Sequence, residues 1–224
     1  MAELPPDVDV PHRDAVLGQA IPFDRERWLS HLPDATWWPD ELDACPRTGR
    51  WPRVDRRTIF DMAERAGTEP GRRHLLVAAL VWGTGTKALS VRRRSRIFTK
   101  SEATEIDTQL AAGLDLLRQE GAVPAYYAWN NDHQIRHLGP AFFTKVLYFA
   151  GYEAAASCRP LILDSVVSRA LRSVGWVGAE WPERGWTTPQ YVQYLSIVHD
   201  CAQAAGVRPD QIEAALFQHG KRPA

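Results

Sequence analysis

The chain has only three cysteines in 224 residues, Cys45, Cys158 and Cys201, far apart in sequence. An odd, scattered set excludes a disulfide scaffold, a zinc ribbon and a cysteine-ligated iron–sulfur loop. No apolar run approaches the roughly 20 residues needed to span a bilayer. The opening residues are acidic and proline-rich and lack the basic and apolar regions of a secretion signal. A soluble, cytoplasmic protein with no membrane contact is the expectation. Alternating apolar and polar runs joined by hairpin turns are missing, and so are internal repeats, which leaves no support for a β-sandwich or a solenoid. Lysine is scarce: Lys87, Lys100, Lys145 and Lys221 are the only four among 27 basic residues.

What is present is aromatic and charged. Nine Trp, seven Phe and six Tyr, with 45% hydrophobic and 24% charged residues, describe a folded chain with one substantial core or two small lobes. The formal net charge is zero but unevenly spread: residues 1–45 carry −7, residues 46–100 carry +10 and residues 101–224 carry −3. The densest basic run is Arg92-Arg93-Arg94-Ser95-Arg96. It either contacts phosphates or pairs with the acidic N-terminal third. Charge alone leaves both open.

Periodicity makes this an all-α protein. An extended arm over 1–23 leads to a short helix at 24–31 and a Trp-rich stretch broken by prolines. Helices are predicted over 58–66 and 74–82, the second apolar almost all round and therefore central, with Gly83-Thr84-Gly85 ending it. Ile106, Leu110, Leu114 and Leu117 fall at helical spacing in a long helix opened at 101–105 and closed by Gly121. Turns at 124–130, the segment 134–138 and a tight Gly139-Pro140 turn precede an apolar helix over 141–150. Helices over 164–174, 191–205 and 209–219 follow, the first two separated by a Gly- and Trp-rich loop bearing Trp176, Trp181 and Trp186. Residues 1–55 read as an arm packing on a helical domain over 56–224.

Lys145 is out of place in Ala-Phe-Phe-Thr-Lys-Val-Leu-Tyr-Phe-Ala, the most apolar helix of the chain. An ammonium there is desolvated or escapes to one edge, and desolvation makes a lysine amine available as a nucleophile. Asp164, between Leu161-Ile162-Leu163 and Ser165-Val166-Val167, falls at a helix N-cap, where backbone N–H groups and the helix dipole hold it ionised. Each has a plain alternative: a lysine that snorkels outward, and an ordinary cap. The pair is more specific than either.

At these residues the chain resembles the helix-hairpin-helix DNA glycosylases, and among them the 8-oxoguanine DNA glycosylases. Leu138-Gly139-Pro140-Ala141 is similar to the hairpin, Lys145 to the catalytic lysine that follows it, and Pro160-Leu161-Ile162-Leu163-Asp164 to the segment carrying the essential aspartate. Ala141 stands where the hairpin has its second glycine. The usual lysine register counted from Gly139 falls on Phe143, and a two-residue extension of the hairpin brings it to Lys145. The likeness runs over about 72–220, from the apolar helix ending at Trp82 to Glu213-Ala214-Ala215-Leu216-Phe217 near the C-terminus.

The resemblance implies a helix-hairpin-helix fold of two small helical lobes with the active site between them. It implies excision of a damaged base, an oxidised purine such as 8-oxoguanine, from double-stranded DNA by a monomer that needs no cofactor and no metal. Lys145 would form a Schiff base, with an associated AP-lyase activity, and Asp164 would stabilise positive charge at the sugar. Gly139 and Ala141 would offer backbone N–H groups to a phosphate, with Arg92, Arg93, Arg94 and Arg96 on the flanking backbone. Phe217 would stack on the flipped base, Glu213 would accept the N–H groups of a guanine edge, and Trp82 would line the pocket. His133, His137, His199 and His219 show no ligand spacing. The same residues admit other readings: a glycosylase acting on modified phage bases in defence, a non-catalytic DNA-binding hairpin module, or a helical interaction module in which Lys145 and Asp164 merely pair.

Overall fold

In the computed structural model of the protein, residues 4–6, 8–155 and 158–222 are described. The first third runs α1 (Arg13–Leu17), β1 (Ile21–Pro22), α2 (Arg25–Leu29), α3 (Asp40–Asp43), β2 (Arg47–Thr48), β3 (Trp51–Val54) and α4 (Arg56–Ala63). The remainder is helical: α5 (Glu69–Thr84), α6 (Ala88–Arg94), α7 (Arg96–Thr99), α8 (Ala103–Gln119), α9 (Ala122–Asn130), α10 (Pro140–Gly151), α11 (Ser165–Ser173), α12 (Thr188–Ala205) and α13 (Pro209–His219).

Helix starts are written in side chains that accept the orphan N–H groups of a first turn. Asp55 accepts from Thr58 N at 2.9 Å to open α4, and Thr68 from Gly71 N at 3.1 Å to open α5. Thr187 and Gln190 form a reciprocal capping box at the start of α12. Gly206 ends that helix in the left-handed conformation that glycine adopts without strain.

The two most apolar helices are central. Leu75 to Trp82 of α5 and Phe142 to Phe149 of α10 are buried, and the two helices pack on each other. Around them lie α4, α8 and α9, while α13 packs on α11 and α12, and α12 packs on α9. Buried apolar residues from Phe23 to Leu216 form one continuous cluster, so the two lobes expected from the sequence are not separate cores.

The chain is mostly helical, as expected, and adds a small antiparallel sheet of order β1-β3-β2 that the sequence did not show. Its strands are two to four residues long, and Pro22 and Pro52 lie within them, too short and too interrupted for an alternating pattern to register. The β2–β3 hairpin pairs Thr48 with Trp51 across a two-residue loop, Gly49-Arg50, with Gly49 at φ +73°. That positive φ at the first loop position is what glycine supplies to a tight hairpin. The arm predicted over 1–23 falls partly outside the described residues; its remainder forms α1 and β1. Residues 131–139 connect α9 to α10 without a helix.

Candidate active site

Leu161, Ile162 and Leu163, which lead to Asp164, are buried in a segment that pairs with no strand among the described residues, so its backbone groups need side-chain partners. Tyr191 Oη accepts from Leu161 N at 3.2 Å and donates to Leu161 O at 3.0 Å, and Tyr194 Oη donates to Ile162 O at 2.7 Å. Thr144 Oγ1 donates to Pro140 O at 2.7 Å and accepts from Leu163 N at 3.2 Å. Thr144 therefore ties the end of this segment to the helix turn that carries Lys145. Thr144→Val keeps the shape but strands Leu163 N, an unsatisfied buried donor worth about 1–3 kcal/mol. Urea unfolding should show a lower midpoint with an unchanged slope; an unmoved midpoint would leave the two tyrosines as the whole anchor.

Asp164, delivered by that segment, caps α11 through Oδ1, which accepts from Val166 N at 3.0 Å and Val167 N at 3.2 Å. Its Oδ2 is left to face α10, where Lys145 Nζ donates to it at 3.1 Å and to Ala141 O at 2.9 Å. Lys145 is only 4% exposed. Burial opposes the charge on Asp164, but the Lys145 ammonium and the two backbone N–H groups outweigh it and hold the carboxyl below its usual range. Gly83, on the last turn of α5, approaches so closely that a Cβ there would sit 2.9 Å from Lys145 Cδ and Cε. The lysine stem is thus confined by α5 and its head by two acceptors.

This ion pair stands in the wall between two cavities. The outer one, about 520 Å³, is lined by Arg93, Arg94, Arg184, the start of α10 and Trp186. The inner one, about 190 Å³, is lined by Gln19, Ile21, Arg56, Trp82, Thr84 and Glu213 among others. Gly83, Lys145, Asp164 and Phe217 belong to both. Phe143, the strict hairpin register for the lysine, is in the core instead, with its ring 5.0 Å from that of Tyr126. A basic outer cleft, a buried amine–carboxylate pair and an inner chamber with polar and aromatic walls is an arrangement that could take a nucleotide base-first, with its sugar left at the ion pair.

A family model described as "Putative 8-oxoguanine DNA glycosylase OGG-like protein" matches residues 14–217. The chain belongs to this OGG-like glycosylase family. No curated protein and no solved structure matches it. The family implies DNA as the partner, and no helix among the described residues is long and apolar enough to cross a membrane.

The structure bears on one of the two readings of the basic run, its pairing with the acidic N-terminal third. The acidic N-terminal third is matched elsewhere: Asp43 pairs with Arg25, Asp24 with Arg27, Asp14 with Arg57 and Glu41 with Arg65. Arg72 and Arg73 share Asp107. Among the described residues no ion pair takes Arg92, Arg93, Arg94 or Arg96, which sit on α6 and at the start of α7 rather than in a turn. Arg94 lies over the Phe142 ring at 4.0 Å, and burial together with Arg93 and Arg184 lowers its pKa. Gly139 caps α10 and would meet nothing within 4 Å of an added Cβ, so the Gly139–Ala141 turn opens to solvent beside this run. His137, in the same connection, takes a left-handed φ of 69°; burial and the cations Arg96, Arg136 and Lys100 depress its pKa.

The pocket residues are placed less simply. Phe217 borders both cavities, with Lys221 Nζ 4.1 Å from its ring centroid. Trp82 lines the inner cavity, its Nε1 donating to Gln19 O at 3.0 Å. Glu213 is 1% exposed, and Arg56 Nη1 donates to its Oε2 at 2.8 Å. Burial raises its pKa against the pull of Arg56. Of the loop tryptophans, Trp186 lines the outer cavity. His133, His199 and His219 bond to Gln109 Oε1, Leu195 O and Ser173 Oγ respectively.

Four contributors escaped the sequence. Arg56 lies 157 residues from Glu213, and Arg184 lies in a loop that carries no motif. Gln19 and Ile21 arrive with the unforeseen strand β1, from the segment read as an extended arm. The one available signal was Gly83, which reads as a helix stop but acts as a gap for the lysine stem.

Proposed function

We propose that the protein is a base-excising DNA glycosylase acting on a damaged, oxidised purine, through a helix-hairpin-helix module made of α9, the 131–139 connection and α10. The observation that carries this reading is the Lys145–Asp164 pair, set in the wall shared by a basic outer cleft and an inner chamber. A base inside the stack is out of reach, so the nucleotide is extruded at a cost of a few kcal/mol. Its base enters the inner cavity, its sugar stops at Lys145 and Asp164, and its phosphates stay in the outer cleft against the α10 N-terminus and the free arginines. Leu89, 82% exposed on the first turn of α6, is an apolar side chain placed to fill the vacated stack.

The proton inventory is consistent with this. As an ammonium donating to Ala141 O and Asp164, Lys145 is no nucleophile. The departing base needs a proton as the N-glycosidic bond breaks and its electrons leave with the base. Transfer of one Lys145 proton to that base meets the need and frees the amine. The amine then bonds to C1′, and ring opening gives the protonated Schiff base. Loss of a C2′ proton from that adduct expels the 3′-phosphate, which is the AP-lyase step. Asp164, held ionised, opposes the positive charge that develops at the sugar.

Two measurements test the reading. The wild-type protein should release a free base from a duplex carrying an oxidised purine; failure across a panel of such lesions would overturn it. Binding to undamaged duplex should fall steeply with salt, and replacing Arg92, Arg93 and Arg94 by Gln should flatten the log–log slope by up to about 2.7. An unchanged slope would remove that run from the DNA interface.

A further inference from the structure

The outer cavity carries more positive charge than the fold uses. Arg93 and Arg94 reach it from α6 and Arg184 from the loop between α11 and α12, and all three keep access to solvent. The one carboxylate on its wall, Asp164, is taken by Lys145 and by the α11 cap. Glu183, next to Arg184 in sequence, is turned to Arg172 at 3.2 Å. No ion pair or side-chain hydrogen bond among the described residues takes Arg93, Arg94 or Arg184. Like charges gathered without a counter-ion repel, and together with burial they hold the Arg94 pKa below its ordinary value.

The loop keeps Arg184 in this position. Pro182 O accepts from Ser168 Oγ at 2.7 Å and from Trp186 Nε1 at 2.8 Å, and Trp186 O accepts from Tyr126 Oη at 2.7 Å. The backbone two residues to either side of Arg184 is thus fastened, to α11 and to α9. A cationic side chain on a fastened backbone loses less freedom on meeting an anion than one on a free loop.

The lyase step supplies an anion that suits this cavity. As the C2′ proton of the Schiff-base adduct passes to water, the C–H electron pair forms the C2′–C3′ double bond. The C3′–O pair leaves with the phosphate. A backbone diester carries one negative charge, whereas the monoester it becomes carries about −1.5 to −2 near neutral pH. Guanidiniums that meet the second charge as it develops lower the barrier to elimination and then retain the product. Lys145 stands in the wall of the same cavity, so the phosphate departs beside the residues that line it.

We propose that Arg93, Arg94 and Arg184 form the leaving-group site of the strand-cleavage step, a subsite for the 5′-phosphate monoester that β-elimination creates. The inference rests on the glycosylase and lyase reading above and adds a second ligand, a terminal phosphate on DNA.

The test uses a nicked duplex with a tetrahydrofuran abasic analogue at the 3′ end of the nick and either a phosphate or a hydroxyl at the 5′ end. Wild type should bind the 5′-phosphate form about 10-fold or more tighter, the scale of one charge-assisted hydrogen bond. Arg184→Gln should bring that ratio to within about 3-fold. Because the ratio is taken within one protein, partial loss of folded material divides out, and the wild-type comparison needs no variant to fold. A wild type without the preference, as arginines serving only intact diesters would give, overturns the inference. So does an Arg184→Gln protein that retains it. On an abasic duplex the same variant should let the Schiff base accumulate, so that strand cleavage per borohydride-trapped adduct falls about 10-fold or more. An arginine that only holds DNA would lower adduct and cleavage together, and an unchanged quotient overturns the leaving-group role. Base release keeps the two claims apart. A wild type that frees an oxidised purine but cuts no strand, or shows no 5′-phosphate preference, defeats only this inference. One that releases no base defeats the glycosylase reading and this with it.

Discussion

Sodium borohydride is expected to trap the wild-type protein covalently on a duplex containing an abasic site, and to trap none of Lys145→Gln. Reduction captures only a C=N bond between a protein amine and C1′, so the readout is all or none. The variant is chosen for the fold. A glutamine amide can still donate to Asp164 Oδ2, whereas an apolar substitute would leave that carboxylate buried beside nothing, a change that costs about 3–5 kcal/mol. Lys221 is the natural control, because its Nζ lies 4.1 Å from the centroid of the Phe217 ring, which borders both cavities. Lys221→Gln should trap like wild type. Persistent trapping by Lys145→Gln, abolished when Lys221 is also replaced, would move the nucleophile to the C-terminal turn and end the role given to α10.

How far the sequence led to this point depends on the range of each signal. Lys145 and Asp164 were legible because each is marked locally, one by an ammonium in an apolar helix, the other by a carboxylate before a helix start. Nineteen residues of chain bring them to 3.1 Å only because Thr144, Tyr191 and Tyr194 fasten the extended segment to its neighbours. None of those three advertises that role in sequence. The basic run was visible, but its freedom was not, since that depends on which acids the other arginines take. For Glu213 the surroundings were what the sequence hid. It lies on the same helix as Phe217, and its charge is buried against Arg56, which β3 and the α4 cap Asp55 bring from 157 residues away. Spacing places a residue on a helix, and only tertiary contact decides whether its charge meets water.

Asp164→Asn should lower base excision by roughly 10² or more while leaving affinity for a base-free abasic duplex close to wild type, the scale expected when a preorganised electrostatic contact to the transition state is lost. The amide oxygen can still accept from Val166 N and Val167 N, so the cap on α11 is retained while the charge, and with it the acceptor for Lys145 Nζ, is removed. The pH dependence of stability separates this charge from the cap. Asp164 titrates below its ordinary range in the folded protein, so its ionised form contributes stability that is present above about pH 3.9 and is lost as pH falls through the lowered folded value. The wild-type advantage over Asp164→Asn in urea unfolding should therefore shrink on acidification below pH ~4 and be constant near neutrality. A stability gap independent of pH would mean that the difference lies in packing. A folded variant that excises at the wild-type rate would leave Asp164 as a helix cap, and the charge opposing the developing cation at the sugar would have to come from Glu213, the other carboxylate on the inner cavity wall.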